Sequence, residues 1–190
     1  MGVDAPAETM FQLFVLLDCS VLLNILATGR ADEVLRTFDA GVGLSAAVAA
    51  ETLFLRGENP SVAPERISLD PLIGRGLLQR LDLETDEEKA LYVQLAADLD
   101  DGESMTLAIA HHRGMTVATD DRKARRLARQ RFGEGMILLR TTDILHAWLE
   151  ASPVDDAGTG TTLRRIESIA RFRPANDDPL RDWWLAARAW

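Results

Sequence analysis

The chain has a single cysteine, Cys19, in 190 residues. No internal disulfide framework can hold it together, and the expected setting is a reducing one, the cytoplasm. Histidine is nearly as scarce, with three, so a zinc site built on the usual His and Cys ligands has little to draw on. The apolar run from Phe11 to Ala27 is broken by Asp18 and Asn24, which excludes it as a membrane span. The first residues carry acids and no basic stretch, so no secretory leader is expected. Positive charge is in deficit: 21 Lys and Arg against 30 Asp and Glu leave a formal net charge of −9. A general polyanion binder coated in cations is thereby excluded. A nucleic-acid enzyme is not, because carboxylates that hold metal ions raise the acidic count while the ions reverse its local sign.

Hydrophobic residues make up 47% of the chain, enough for a full core and too many for global disorder. Their pattern alternates between two periods. Phe14 to Leu17 reads as a buried strand ending at Asp18, and the helical stretch after it stops at Gly29. "VGL" is a second strand, and Ser45 can cap the Ala-rich helix that carries Glu51. Residues 57–66 read as an irregular connection. A short helix and a strand follow; Thr85 and Glu88 then form a capping box, with Leu91 and Leu95 on one face of the helix they open. Asp100 or Asp101 caps a helix from Glu103 to Arg113, closed by Gly114. "MTVAT" is a strand ending at Asp120 and Asp121, followed by a basic helix, the strand "MILL", and a helix capped by Asp143. Helices alternating with short apolar strands predict an α/β fold around a mostly parallel sheet.

Acids recur at comparable places in this pattern. Asp18 follows the first strand, Glu51 lies in a helix, Glu103 opens one, and Asp120–Asp121 follows a later strand. Open parallel sheets bind ligands beyond the carboxyl ends of their strands, where strand order reverses. Unpaired carboxylates brought to one rim repel each other and need a cation, and hard oxygen donors suit Mg²⁺ or Mn²⁺.

Taken in order, "LLDCSVLLNIL", "GLSAAVAAETL", "LDDGESMTLAIAHHRGM" and "TVATDDRKARRLA" resemble the PIN-domain nucleases, a family that includes VapC-type toxins. The resemblance covers roughly residues 13–150. It implies a three-layer α/β/α sandwich and divalent-metal-dependent cleavage of single-stranded RNA; for a toxin, it also implies a protein antitoxin as partner. It places Asp18, Glu51, Glu103 and Asp121 in the metal site, with Ser20 matching a small hydroxyl two residues after the first acid. Asp120 stands beside Asp121, so the fourth acid, and with it a metal ligand, falls on one or the other. "GE" followed by "TDDRKAR" looks most like a subgroup with Glu at the third acidic position, where typical toxins have Asp.

Blander readings stand beside these. Asp18 alone is as well explained as a helix cap, Glu103 as a first-turn acid, and the Asp pair as a turn. Glu51 is harder to dismiss, since an unpaired charge among Ala, Val and Leu is expensive. His111 and His112 at a helix end favour the dipole, and Cys19 reads as a small buried residue. Arg122, Lys123, Arg125 and Arg126 start beside the acids and either contact RNA phosphates or form a solvated face. A haloacid-dehalogenase-type phosphatase would need a second Asp where Ser20 stands, and a catalytically silent module would lack acids, none of which is missing.

The nuclease-like domain is expected over residues 11–150, with a linker and a helical C-terminal extension over 151–190. Trp183, Trp184 and Trp190 in that extension are expected to dock on the domain, on a second copy or on a partner. A homo-oligomer is therefore among the expected states.

Overall fold

Val15, Leu16 and Leu17 are all completely buried, as in a strand covered on both faces. In the computed structural model, which describes residues 13–189 apart from 52, 56, 58–60, 62 and 153, they form β1 (Val15–Leu17) at the centre of a five-stranded sheet. β1 pairs in parallel with β2 (Val42–Ser45) on one side and with β6 (Thr116–Ala118) on the other. Beyond them lie β5 (Gln79–Leu81) against β2 and β7 (Leu138–Leu139) against β6, both parallel. The chain thus builds outward on one side of β1 and then returns to build on the other. Strand order reverses between β1 and β6, and a crevice opens at their carboxyl ends.

Alternate residues of β1 serve opposite cores. Val15 and Leu17 face a cluster with α1 (Cys19–Ala27), α2 (Ala31–Leu35) and α8 (Thr141–Ala151). Leu16 faces a second cluster with α5 (Asp86–Leu95), α6 (Asp101–Arg113) and α7 (Arg122–Phe132). Helices on both faces of a parallel sheet make the expected α/β/α sandwich. Among the described residues no helix is long and apolar enough to cross a membrane.

Local chemistry sets the ends of these helices. Asp18 caps α1, and Gly29 beyond its C-terminus takes the left-handed φ of 72° that a side chain would resist. Thr85 and Glu88 form the expected capping box, and Gly114 ends α6 with φ of 63°. Asp143 does not cap α8. It is the third helical residue, and its carboxylate accepts from the Arg140 N–H at 2.7 Å, so the helix starts two residues earlier. The stretch read as irregular, residues 57–66, ends in β4 (Glu65–Arg66), which pairs antiparallel with β3 (Phe54–Leu55) just before it. Neither strand is long enough to show an alternating pattern in sequence.

The largest departure is the stretch after Ala151. The Thr- and Gly-rich residues read as a linker lie in α9 (Asp156–Ile169), capped by Asp155, whose carboxylate accepts from the Gly158 N–H at 2.8 Å. Burial outweighs weak propensity here: Leu163, Ile166 and Ile169 join the α1 side of the core. Arg165 reaches across to donate to the Ala27 carbonyl at the end of α1, at 3.1 Å. Then α10 (Arg181–Ala187) buries Trp184 completely, with its indole N–H donating to Glu167 at 2.9 Å. Trp183 is half-buried, edge-on to His146. The described tryptophans of this segment therefore pack on their own chain; Trp190 lies outside the described residues, as does Phe11.

Two outcomes are expected. Trp184→Ala should cost about 3–5 kcal/mol in denaturant unfolding, the range for a fully buried aromatic, and cutting the chain after Ala151 should expose the α1 core and cost more. A cut chain as stable as the parent would show the tail to be dispensable. The second concerns Glu88, buried between the start of α5 and the end of α6, where the Arg113 guanidinium donates to it at 2.7 and 3.0 Å. Hydrogen bonds from Arg113, with help from the Glu84 and Thr85 N–H groups and against burial, pull its carboxyl from 4.5 down to about 2. A lowered folded value means stability that is fully present above about 4.5 and lost as pH falls towards 2. Glu88→Gln should be less stable than the parent at neutral pH, with the gap closing across that window in acid titrations of the melting temperature.

Candidate functional site

Five carboxylates reach the carboxyl rim of the sheet, each held there by a different piece of local structure. Asp18 leaves β1 and caps α1, so its burial is dictated by the strand and its direction by the helix. One oxygen accepts from the Cys19 N–H at 2.7 Å. The other accepts from the hydroxyls of Ser20 at 2.8 Å and Thr119 at 3.2 Å. Thr119 follows β6, so this last bond ties the two strand ends at the reversal point. Burial pushes the Asp18 carboxyl above its usual range despite those donors, and the charge of Asp100 adds to the rise.

Beyond Thr119 the chain is extended, and successive side chains point opposite ways. Asp121 turns towards α6 and caps α7, accepting from the Ala124 N–H at 2.8 Å. Asp120 turns the other way. It accepts from the Thr141 N–H at 3.0 Å, the Thr141 hydroxyl at 2.6 Å and Asn24 at 3.3 Å, tying β6 to α8 and α1. Its carboxylate is thus committed to the far side of the rim.

The third contributor, α6, runs antiparallel to the strands and brings its N-terminus to the rim, where the helix dipole favours anions. Asp100 caps it and accepts from the Glu103 N–H at 2.8 Å, while the return bond from the Asp100 N–H to Glu103 is long at 3.4 Å. Burial, then the charges of Asp100, Asp121 and Asp18, push the Glu103 carboxyl up to about 7. These neighbours identify the cluster.

Glu51 arrives on α3 (Ala46–Ala50), which packs against α6 through the Thr106 hydroxyl donating to Ser45 at 3.1 Å. It is not within the helix, as its sequence neighbours implied. It caps the C-terminus with extended backbone and is exposed, so it escapes the apolar surroundings expected for it. The Cys19 thiol hydrogen-bonds to it. Although the residue as a whole is exposed, partial desolvation of its carboxyl, with the charges of Asp100 and Asp18, raises Glu51 against that bond. The Cys19 thiol is itself pushed up to about 12, chiefly by burial and by Glu51, and is no nucleophile. Gly102 makes room for this approach: a Cβ there would stand 2.7 Å from the Glu51 Oε1 atom.

Asp100 is the member that sequence reading passed over, because its capping role explains it fully; the signal was the acid three residues before Glu103. Among the described residues, no three His, Cys, Asp or Glu side chains converge tightly enough as placed to hold one ion. The donors are nonetheless all hard oxygens of one sign with no cation among them, the set that Mg²⁺ or Mn²⁺ suits. Beneath Asp18 and Glu103 the site is shut by Leu107, Val117 and Ala124, which leaves no depth for a ligand below the rim. A pocket of about 420 Å³ opens beside Glu51, with Arg66, Ser68 and Arg80 in its wall.

The basic residues divide. Arg125 is half-buried and donates to the carbonyls of Thr119 and Leu139 at 2.9 and 2.8 Å, a structural brace. Lys123 donates to the Asp98 carbonyl, and Arg122 and Arg126 are exposed. His111 stacks on Phe132 with ring centroids 4.3 Å apart, and both histidines lie at the C-terminal end of α6.

The chain belongs to the PIN-domain family, whose description matches residues 14–148. Members of that family are commonly nucleases and generally bind divalent metals. No curated protein and no solved structure matches the chain.

Gly102→Ala provides a test of the cluster's geometry. The substitution improves helix propensity but presses the new Cβ on the buried Val48 side chain, 3.1 Å away, so unfolding free energy should fall by no more than about 2 kcal/mol. Displacement of Glu51 should weaken Mn²⁺ binding in calorimetry. Unaltered binding would remove Glu51 from the site.

Proposed function

We propose that this protein is a divalent-metal-dependent ribonuclease that hydrolyses phosphodiester bonds of single-stranded RNA. The observation that carries the reading is the crowding of Asp18, Asp100, Glu103 and Asp121 at the β1–β6 reversal, where burial and then the charges of their neighbours raise the Asp18 and Glu103 carboxyls and, among the described residues, no cation pairs with any of the four. Such an arrangement costs stability and has a use only if a cation joins it.

Asp18, Glu103 and Asp121, with Asp100 in the place first considered for Asp120, are the residues that would hold Mg²⁺ or Mn²⁺. When bound, such an ion lowers the pKa of a water and shields the charge that develops on a phosphate. Ser20 and Thr119 fix the direction of Asp18, and Cys19 does the same for Glu51. Glu51 stands at the flank of the cluster, where a carboxylate can orient an attacking water. The shut floor keeps the substrate on the surface, which suits an extended strand better than a small phosphate ester. The Ser20 side chain is spent on Asp18, at the position where a phosphatase of the dehalogenase type would carry its acid–base Asp.

The test uses Asp18→Asn and Glu103→Gln, which keep shape and remove charge. Labelled single-stranded RNA should be cut by the parent with Mn²⁺ and not with chelator, and neither variant should cut it. Both should be as stable as the parent or more so, since Asn caps a helix about as well as Asp and one repulsion is gone. Parental cleavage rates in both variants would sink the assignment.

A further inference from the structure

The strongest feature that the acidic site does not use lies just behind it. Two adjoining cavities, of about 230 and 420 Å³, share Arg122, Arg125, Arg140 and Asp177 and form one cleft between α7 and the segment Arg171–Asp178. Seven arginines and three aspartates line it. In a chain of net charge −9, this is a local excess of positive charge. Asp120 is in its wall, so the cleft begins one residue from Asp121 of the acidic rim.

Not every arginine there is available. Arg125 braces strand ends, and Arg129 pairs with Glu134 at 2.8 Å. Two of the aspartates are spent inside the fold: Asp120 on Thr141, and Asp178 on the Thr142 hydroxyl, the Leu180 N–H and, at 3.8 Å, the Arg140 guanidinium. That leaves Asp177, two-thirds exposed, as the acid facing the opening, 3.3 Å from Arg122 and 4.0 Å from Arg140. Among the described residues, no carboxylate pairs with Arg126 or Arg171.

Arg171 carries a second signal. It is the one described non-glycine residue with positive φ, 57°, at the position after the end of α9 where a glycine is the usual solution. A side chain kept in a strained backbone position calls for a use of that side chain. Arg171 and Arg173 flank Phe172, and all three line the cleft. The Phe172 ring packs edge-on to Trp184, with centroids 5.3 Å apart, and Arg173 stands 3.8 Å from Glu167, so what the cleft offers a single-stranded nucleic acid is guanidinium groups for its phosphates, contacts that carry no sequence information.

We propose that the cleft between α7 and Arg171–Asp178 is a second binding site, for the phosphate backbone of single-stranded RNA several nucleotides from the bond at the acidic rim. The choice of RNA rests on the ribonuclease reading; the site itself rests on the arginines. The face of α7 from Arg122 to Arg129 runs about 10 Å at 1.5 Å per residue, longer than one phosphate needs. Asp177 holds Arg122 and Arg140 where phosphates would, and RNA must displace it.

Binding of a fluorescent 12-nucleotide RNA to the full-length protein, in chelator and across a salt series, tests this by anisotropy. Arg171→Ala with Arg173→Ala should weaken binding on the order of tenfold at 0.1 M salt and flatten the log–log salt slope by about 0.7 for each lost contact. Asp177→Asn should tighten binding severalfold, an effect of opposite sign that damage to the fold cannot imitate. Arg36→Ala, at the C-cap of α2 and outside the cleft, should bind as the parent. An unchanged slope in the double variant, or weaker binding by Asp177→Asn, would overturn the proposal. Equal displacement of the RNA by polyglutamate would also overturn it, in favour of an acidic protein partner. If the parent fails to cut RNA with Mn²⁺ while the variants shift binding as described, the cleft stands and the ribonuclease reading falls.

Discussion

Repulsion among carboxylates is the constraint around which this molecule is arranged. Asp18, Glu51, the pair Asp100 and Glu103, and Asp121 come from four separate stretches of chain, and each stretch is delivered to the rim by a structure that would form without the others. Asp18, Asp100 and Asp121 are N-caps, and Glu103 is the third residue of a capped helix. Because capping already favours an acid at each of these places, the cluster is assembled from locally stable choices. The cost appears only when the ends meet: burial first, and then the charges of Asp100, Asp121 and Asp18, lift the Glu103 carboxyl to about 7. Ser20, Thr119 and the Cys19 thiol offset part of it with hydrogen bonds, and Gly102 leaves room for Glu51.

The pair Asp120–Asp121 shows how an extended backbone separates two tasks. One carboxylate faces the rim; its neighbour, pointing the other way, ties β6 to α8 and lines the arginine cleft. Acidic and basic regions are therefore back to back across a single peptide bond. The C-terminal helices take part in both the core and the cleft. Leu163 and Trp184 complete the core on the α1 side, and the turn between their helices brings Arg171 and Arg173 opposite α7. The protein's overall acidity conceals this local excess of positive charge.

What the sequence by itself determined is whatever depends on neighbours within a turn or two. The strand at Phe14–Leu17, the capping box at Thr85 and Glu88, the left-handed ends at Gly29 and Gly114, and the α/β alternation all follow from local periodicity and capping chemistry. So did the acids after the strands, which could be listed as candidates together with the rim they would share. Tertiary structure decided the rest. Asp100 looked fully explained as a cap until α6 brought it beside Asp18 and Glu51. Glu51 looked buried until the helix ended one residue before it. The Gly- and Thr-rich stretch after Asp155 looked like a linker, because turn propensity is local while the burial of Leu163 and Ile166 against α1 is not. Which arginines brace the sheet and which face solvent was likewise undecided, since Arg125 and Arg126 differ only in the direction that α7 turns them. Residues distant in sequence meet only when the sheet is assembled, and their energies are sums over contacts that no local pattern contains.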